Sequence, residues 1–374
     1  MKIEPFALER YFARHEFSAP ALLSCSDCDG LDMAELLALA DDECRALWQG
    51  LRLGYTDSRG LPRLREEIAG LCSGPGPEDV LVGAPEECIF IAMSCLLEPG
   101  DHVVCTFPGY ASLYQVAAAI GCEVTRWQPE ESDGWRFDPA ALQRLLRPST
   151  RLLVLNFPHN PTGWLPTRED FSEMVALARR CGAQVLSDEM YRLLEHEPAE
   201  RLPSAVELWD EAVSLSGMSK SLGLAGLRIG WLVTRDAALL ARMAAFKDYT
   251  TICSSAPSEI LALVGLRARA TILQRHRARI ARNLELLDRF FARHARMFRW
   301  QRPRAGTVGL ARLCAPLRAS EFCERALEHG GVMLVPSTLF DYGDEHVRIG
   351  FGREDLPEAL ARLDTVLEAD GRAR

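Results

Sequence analysis

Short apolar runs alternate with longer amphipathic stretches between about residues 79 and 235, and this alternation restricts the fold more than any other feature of the chain. The runs are rich in Val, Ile and Leu, as in strands that are buried on both faces of a parallel sheet. The pattern predicts an α/β fold whose large domain has a mostly parallel seven-stranded sheet between helices. The predicted strands are 79–83, 102–106, 122–127, 151–157, 183–188, 212–216 and 228–233.

The helical signals define a second unit. Residues 138–147 and 167–181 read as helices between strands, and Thr167 with Asp170 three positions later is a typical helix start. From residue 271 the chain changes to a long Arg-rich helical segment, predicted over 271–297, followed by shorter β and α signals. We predict a large domain over 46–270 and a smaller α+β domain formed by 1–45 and 271–374.

Composition and charge exclude several classes of partner. The formal charge of −9 without a clustered basic face argues against nucleic acid. No apolar run reaches the roughly 20 residues that a membrane span needs, and charges occupy the start where a signal peptide would need apolar residues. We therefore expect a cytoplasmic protein with no membrane partner. The twelve cysteines are scattered, and the Cys25–Cys28 pair lacks a second pair or a nearby His, so no metal site is expected.

The segment Ser216–Gly230, SGMSKSLGLAGLRIG, carries one of only three lysines in the chain. Lys220 follows a predicted strand and has small neighbours, which leave space for a flat ligand. A lysine amine that is held in its neutral form is a nucleophile towards carbonyl groups. Arg228, eight positions later, offers a fork-shaped donor to a phosphate group.

This segment resembles the lysine signature of the fold-type I pyridoxal-phosphate enzymes, specifically the class I/II aminotransferases. The positions in register are Gly217, Ser219, Lys220, Gly223, Leu224, Gly226, Arg228, Ile229 and Gly230. The resemblance implies pyridoxal 5′-phosphate as the cofactor. It also implies that Lys220 carries the cofactor as a Schiff base and moves the proton at the substrate α-carbon, while Arg228 holds the phosphate.

The other motifs of that family follow in the expected order. By resemblance, Asp188 in SDEMY contacts the pyridine nitrogen, and Tyr191 hydrogen-bonds the phenolate oxygen of the cofactor. A carboxylate beside the ring nitrogen keeps it protonated, which makes the ring an acceptor for electrons released at the α-carbon. Asn160 in the NPTG turn resembles the second donor to the phenolate oxygen, and Tyr110 resembles the aromatic residue that stacks on the ring.

The predicted phosphate cradle departs from the usual pattern at two positions. The segment GAPEEC (83–88) opens a helix where free N–H groups can bind phosphate, but Pro85 has no N–H, so Ala84 or Glu86 must donate instead. Gly217 stands where many relatives carry a Ser or Thr that binds the phosphate. Ser219 and Ser216 are the hydroxyls that remain near the lysine.

Two further resemblances concern the substrate and the assembly. Arg348 in HVRIGFG resembles the arginine that binds the substrate α-carboxylate with two parallel hydrogen bonds, and the resemblance implies that Asn160 also binds the substrate. Tyr55 resembles the tyrosine that reaches the phosphate of a neighbouring subunit, which implies a homodimer with shared active sites. Candidates for the side-chain pocket are Glu16, Ser26, Asp27 and the segment 247–255.

Two reactions stay open at this stage. The family motifs predict transfer of an amino group between an L-amino acid and a 2-oxo acid. The segments NFPHNPTG, GLAGLRIGW, VMLVPSTLF and VRIGFG also resemble the capreomycidine synthase group, which cyclises a hydroxylated arginine. The alternative is therefore elimination or cyclisation of a modified amino acid. A regulator with an added DNA-binding domain and a nicotinamide-binding protein are disfavoured, since the motifs begin near residue 55 and no GxGxxG follows the first strand.

Overall fold

The computed structural model describes residues 2–314 and 316–372. Helices cover much of that range, from a short N-terminal helix to a long C-terminal one. They are α1 (Ala7–His15), α2 (Met33–Ala38), α3 (Asp42–Gln49), α4 (Pro62–Ala69), α5 (Pro85–Leu96), α6 (Ser112–Ile120), α7 (Pro139–Leu145), α8 (Arg168–Cys181), α9 (Ala205–Leu208), α10 (Ala237–Lys247), α11 (Ala256–Arg267), α12 (Arg269–Arg293), α13 (Ala319–Gly330) and α14 (Leu356–Arg372).

The strands form one large sheet and two small ones. Their bounds are β1 (Ala21–Leu22), β2 (Val80–Gly83), β3 (His102–Thr106), β4 (Glu123–Trp127), β5 (Thr150–Asn156), β6 (Gln184–Asp188), β7 (Val213–Gly217), β8 (Gly230–Val233), β9 (Phe298–Trp300), β10 (Val308–Leu313), β11 (Val332–Met333), β12 (Val335–Pro336) and β13 (His346–Gly350).

The large sheet has seven strands in the order β2-β8-β7-β6-β5-β3-β4. Strand β8 runs antiparallel to its two neighbours, whereas the other pairings are parallel. Helices cover both faces: Ile89, Leu113 and Leu239 pack on one face, and Phe171 and Val175 pack on the other. The predicted mostly parallel seven-stranded sheet is therefore confirmed, and each predicted strand lies within two residues of the observed bounds.

The small sheets bring distant segments of the chain together. Strands β12, β13, β10 and β9 form an antiparallel sheet in that order, and β1 near the N-terminus pairs with β11 in parallel. This agrees with the expected second, smaller sheet region. The predicted domain boundaries at residues 45 and 270 stay a prediction.

One predicted helix is too long at its C-terminal end. The expected helix over 271–297 ends at Arg293, and the next residues form a tight turn in which the Phe298 N–H donates to His294 O at 3.0 Å. The turn lets Phe298 enter strand β9, where its ring packs against Phe291 and Phe322. Packing of one aromatic residue thus overrides the helical preference of the last four positions.

Three glycines allow a helix to approach the carboxyl edge of the large sheet. Gly83 and Gly217 are both paired with Gly230 on adjacent strands. A Cβ atom on Gly230 would lie 2.9 Å from the ring of Pro85, the first residue of α5. The missing side chains therefore let the N-terminus of α5 lie directly against the ends of β7 and β8. Within the described ranges, no helix is long and apolar enough to cross a membrane.

Candidate active site

A cavity of about 380 Å³ opens at the carboxyl edge of the large sheet. The parallel strands end at this edge, and β8 begins there, so the residues that follow or precede them converge on one place. Ten of the predicted site residues line the cavity, and two, Ala84 and Tyr55, do not. The ten are Pro85, Glu86, Tyr110, Asn160, Asp188, Tyr191, Ser219, Lys220, Arg228 and Arg348.

Lys220 lies in the turn after β7 and is half-buried, with its amine at the cavity. The amine donates to the Ser26 hydroxyl oxygen at 2.8 Å. Burial lowers the pKa of the lysine, while the nearby Asp27 carboxylate opposes that shift. A lowered pKa increases the neutral fraction of the amine, which is the form that attacks a carbonyl carbon.

Asp188 is the last residue of β6, and its side chain is buried at the base of the cavity. One carboxylate oxygen accepts from the Met190 N–H at 3.0 Å, and no cationic side chain of the described residues forms an ion pair with it. Burial raises the pKa of Asp188 to about 7, against the opposing effects of that hydrogen bond and of Lys220. A buried carboxyl without a cation is suited to pair with a cationic ligand atom.

Arg348 is a buried cation without a carboxylate partner in the described part of the chain. It lies on β13 with 1% of its surface exposed, between the rings of Phe340 and Phe12. Its guanidinium donates to the Ser24 carbonyl oxygen at 2.8 Å and to Asn160 Oδ1 at 3.5 Å, and its Nε has no partner. Burial lowers the pKa of the guanidinium. A buried guanidinium with an unused donor is suited to bind an anion such as a carboxylate.

Asn160 and Tyr191 lie beside these charged groups, and both residues form hydrogen bonds within the protein. The Asn160 N–H donates to Asn156 Oδ1 at 3.0 Å, which fixes the turn. Its side-chain nitrogen donates to no described residue and is free for a ligand. The Tyr191 hydroxyl donates to the Ser26 carbonyl oxygen at 2.7 Å, so its predicted bond to the cofactor would require a change of partner. We refer to Asn160, Asp188, Lys220 and Arg348 as the strand group.

The residues predicted to bind phosphate lie at the N-terminus of α5 and in the segment between β7 and β8. We refer to Pro85, Glu86, Ser219 and Arg228 as the helix group. The Ser219 hydroxyl is buried and has no partner among the described residues. Arg228 has a left-handed backbone with φ of 55°, and it lines the cavity from its exposed rim. An unpartnered hydroxyl and a guanidinium are groups that bind phosphate.

The Ala84 N–H is already engaged, which affects the predicted cradle. It donates to Glu87 Oε2 at 3.1 Å in a capping box at the start of α5. Ala84 is therefore a poorer donor than expected, and among residues 84–86 the N–H of Glu86 is the one left for a ligand. Gly217 also has a structural reason: a Cβ atom there would lie 3.1 Å from Gly230 Cα and from Ile229 O.

Helix α1 covers the cavity, and of this segment the sequence predicted only Glu16 as a pocket candidate. It contributes Leu8, Glu9 and Phe12, and Glu16 follows directly after it. The predicted stacking residue Tyr110 lines the cavity and donates its hydroxyl to Glu9 Oε1 at 3.1 Å. The spacing of Leu8 and Phe12, four residues apart on a helix, is the signal that could have indicated a buried face.

The side-chain pocket candidates separate into two places. Ser26 and Asp27 line the cavity, and Asp27 forms an ion pair with Arg353 at 3.1 Å. The segment 247–255 does not line the cavity of its own chain, contrary to expectation. Part of it borders a separate surface groove beside Tyr55, whose side chain is 91% exposed. All twelve cysteines are free thiols, and no metal-binding cluster occurs in the described ranges.

The residues present fit pyridoxal phosphate, the cofactor that the resemblance implies. Asp188 matches a protonated ring nitrogen, Lys220 matches an aldehyde carbon, and the unpartnered Ser219 hydroxyl with Arg228 matches a phosphate. Arg348 then remains for the carboxylate of a substrate. The individual roles of these residues stay predictions.

Comparison with known proteins gives the family. The family described as aminotransferase class I and II matches residues 21–363. Capreomycidine synthase of Streptomyces vinaceus is 29% identical over 98% of this chain and 95% of its own. A solved PLP-dependent aminotransferase from Streptococcus suis is 31% identical with a TM-score of 0.92 and covers 99% of both chains. A solved PLP-dependent cyclase is 29% identical with a TM-score of 0.90, covering 99% of this chain and 98% of its own. The chain belongs to the aminotransferase class I and II family and is a pyridoxal-phosphate-dependent enzyme.

Proposed function

We propose that the protein is an aminotransferase that moves an amino group between an L-amino acid and a 2-oxo acid. The observation that supports this most is the buried guanidinium of Arg348, which faces the same cavity as the amine of Lys220. An α-amino acid has a carboxylate for the first group and an amino group that can approach the second. Binding at two points orients the bond from the α-carbon to hydrogen relative to the cofactor ring.

The chain supplies positioning and proton transfer. Arg348 binds the substrate carboxylate, and Asn160 supports that guanidinium through its side-chain oxygen. Lys220 takes the proton from the α-carbon and returns it at another carbon, for which a lowered pKa is favourable. Asp188 holds a proton on the ring nitrogen. Pyridoxal phosphate supplies a carbonyl carbon for the amino group and an electron-poor ring that accepts electrons from the α-carbon.

The cavity wall formed by α1 points to a substrate with a cationic side chain. Glu9 and Glu16 line the cavity, and no cationic side chain of the described residues forms an ion pair with either of them. Asp27 is already paired with Arg353, which leaves Glu9 and Glu16 as the available carboxylates of this wall. A guanidinium or ammonium group would pair with them, whereas an acidic side chain would be repelled.

Cyclisation of an amino acid with a guanidinium side chain is the second candidate. It is supported by similarity over nearly the full length to a capreomycidine synthase and to a PLP-dependent cyclase. The acidic wall is compatible with both candidates, because it binds the side chain and not the reacting atoms.

One experiment separates the two reactions. The holoenzyme is incubated with a panel of L-amino acids, including arginine, hydroxyarginine, lysine and leucine, without any 2-oxo acid. Transamination predicts that pyridoxamine phosphate accumulates with one equivalent of 2-oxo acid. Repeated formation of a cyclic or eliminated product with the cofactor spectrum unchanged would instead support the second candidate. Glu16→Gln should lower kcat/KM for arginine about tenfold and leave leucine unchanged.

A second copy of the chain is the proposed partner. Leu53, Tyr55 and Tyr249 have 86%, 91% and 91% of their surfaces exposed, and the first two line the surface groove with residues 253–257. Large exposed apolar side chains grouped on neighbouring segments are typical of an interface. Sedimentation equilibrium should give the mass of a dimer for wild type and a lower mass for Tyr55→Asp. A wild type with the mass of a monomer would contradict the proposal. A cytoplasmic location stays a prediction, supported by the free thiols.

A further inference from the structure

Glu86 places a carboxyl group where the phosphate of the cofactor is expected. It is the second residue of α5, and it lines the cavity together with Ser219 and Arg228. Its side chain faces the open cavity, yet protein atoms surround it closely enough to raise its pKa through burial. A ligand that fills this end of the cavity would cover the carboxyl group further.

The charged and titratable neighbours of Glu86 are of both signs. Its carboxylate accepts from the hydroxyl of Ser112, the first residue of α6. Glu9 on α1 raises its pKa, whereas Arg228 and the hydroxyl of Tyr110 lower it. The charge of Glu86 in turn raises the pKa of Asp188 at the end of β6. Arg228 is thus the one cation among these neighbours of Glu86.

The backbone donors at this helix end are few. Pro85 has no N–H, and the Ala84 N–H is held by Glu87 at 3.1 Å. A phosphate here would find the N–H of Glu86, the hydroxyl of Ser219 and the guanidinium of Arg228. An ionised Glu86 would add electrostatic repulsion between its carboxylate and the phosphate.

We propose that Glu86 takes up a proton when the cofactor binds and then donates a hydrogen bond from its carboxyl group to the phosphate. The proton comes from solvent and returns to solvent when the cofactor leaves, so the step is balanced. The protonated carboxyl group replaces the donor that Pro85 lacks. This inference depends on the proposed placement of the phosphate between Glu86, Ser219 and Arg228.

The proposal makes the affinity for pyridoxal phosphate dependent on pH. The protonated form of Glu86 binds the phosphate, so the dissociation constant rises with pH between the free and the bound pKa of this group. The maximum slope for one proton is tenfold per pH unit. Glu86→Gln carries a permanent neutral donor of similar shape, so this variant should lack that part of the slope and bind more tightly at high pH.

The test uses apoprotein titrated with pyridoxal phosphate by calorimetry at several pH values from 7 to 9. Each titration is repeated in two buffers of different ionisation enthalpy, which gives the number of protons taken up. We expect wild type to take up close to one proton more than Glu86→Gln, and its dissociation constant to rise more steeply with pH. Equal proton uptake and equal slopes in the two proteins would overturn the proposal. Glu98→Gln is the control, since it removes an exposed carboxylate outside the cavity and should retain the uptake.

Two further measurements separate the possible failures. If Arg228→Gln and the replacement of pyridoxal phosphate by pyridoxal both leave affinity unchanged, the phosphate lies elsewhere and the proposed site is wrong. If both weaken binding while proton uptake matches that of Glu86→Gln, only the Glu86 proposal fails. The phosphorus NMR shift of the bound cofactor is decisive even if Glu86→Gln does not fold. A monoanion shift contradicts the proposal. A dianion shift supports protonation of Glu86 when nitrogen NMR shows that the ring nitrogen does not account for the proton taken up.

Discussion

The strand group and the helix group of the cavity are built in different ways. Asp188 and Arg348 belong to strands, are buried, and have opposite charges that lack ionic partners among the described residues. The helix group instead lies on turns and a helix start, where Pro85 removes one donor and Glu87 occupies another. The groups expected to act on a substrate are therefore held at or just after the ends of buried strands, whereas at the expected phosphate site side chains must supply donors that the backbone lacks.

Among substitutions in the strand group, removal of the Lys220 amine should lower turnover the most. Lys220→Ala should lower turnover by at least about 10³-fold, because we propose that the same amine attacks the cofactor and moves the proton. Treatment of the holoenzyme with borohydride followed by peptide mass spectrometry should locate the cofactor on Lys220 in wild type. Lys2→Ala is the control and should keep both activity and label. A label on Lys247 would contradict the assignment.

Asp188→Asn tests the buried carboxyl group of the same group. The pKa of Asp188 in the folded apoprotein, about 7, lies above its unfolded value near 4. Protonation of Asp188 at low pH therefore stabilises the folded protein. Its contribution is present below about pH 4 and is lost as the pH rises to about 7, by up to about 4 kcal/mol. We expect the unfolding free energy of wild type relative to Asp188→Asn to fall over this range in urea titrations.

Bound cofactor sharpens the Asp188 prediction. A protonated ring nitrogen pairs with the carboxylate, so the loss of stability between pH 4 and pH 7 should be smaller in the holoenzyme than in the apoprotein. Parallel pH profiles for wild type and Asp188→Asn in the apoprotein would show that Asp188 is not shifted.

Arg348→Lys tests substrate binding separately from cofactor binding. Lysine keeps the charge but loses the fork that makes two parallel hydrogen bonds, so KM should rise about 10- to 100-fold. The affinity for pyridoxal phosphate should stay unchanged, because the helix group does not include this residue. Arg312→Lys on the neighbouring strand β10 is the matched control. A weakened cofactor with unchanged KM would assign Arg348 to the wrong end of the cavity.

Gly217→Ser addresses the helix group and should have the smallest effect. A side chain at Gly217 would lie 3.1 Å from the backbone of the adjacent strand, so the hydroxyl should cost about 1 to 3 kcal/mol of stability. We expect a lower melting temperature and no tighter binding of pyridoxal phosphate. Gly226→Ser is the control, because a Cβ atom there has no neighbour within 4 Å. Tighter binding without a loss of stability would show that the site accepts the missing hydroxyl.

The sequence predicted the large sheet well because most of its strands are short local runs centred on apolar residues, with the more polar strand β4 at the edge. Strand β3 matches its predicted range of 102–106, and strand β5 differs by one residue at each end. The start of α8 was also legible, since Thr167 accepts from the Asp170 N–H at 3.0 Å. These elements are determined by short-range patterns that a single sequence contains.

The parts of the site that the sequence did not predict depend on contacts between distant residues. Contacts that hold α1 over the cavity include the bond from the Tyr11 hydroxyl to Leu334 O at 2.9 Å, which joins residues 323 positions apart. The partner of Tyr191 is likewise a carbonyl group, at Ser26, which no residue pattern identifies. The sequence suggested that the Ala84 N–H is free for a phosphate. In the structure the Glu87 carboxylate accepts from it, and the sequence does not show which acceptor an N–H will take.

The pairing of β1 with β11 limits when the N-terminal segment can assemble with the rest of the protein during synthesis. Residues 80–233, which carry Lys220, Asp188 and Arg228, leave the ribosome before Val332 and Met333 exist to receive Ala21 and Leu22. The N-terminal segment, although it is made first, therefore reaches its final position only near the end of translation. A nascent chain can assemble the surfaces proposed for the cofactor first, and the N-terminal wall that we propose to select the substrate is completed last.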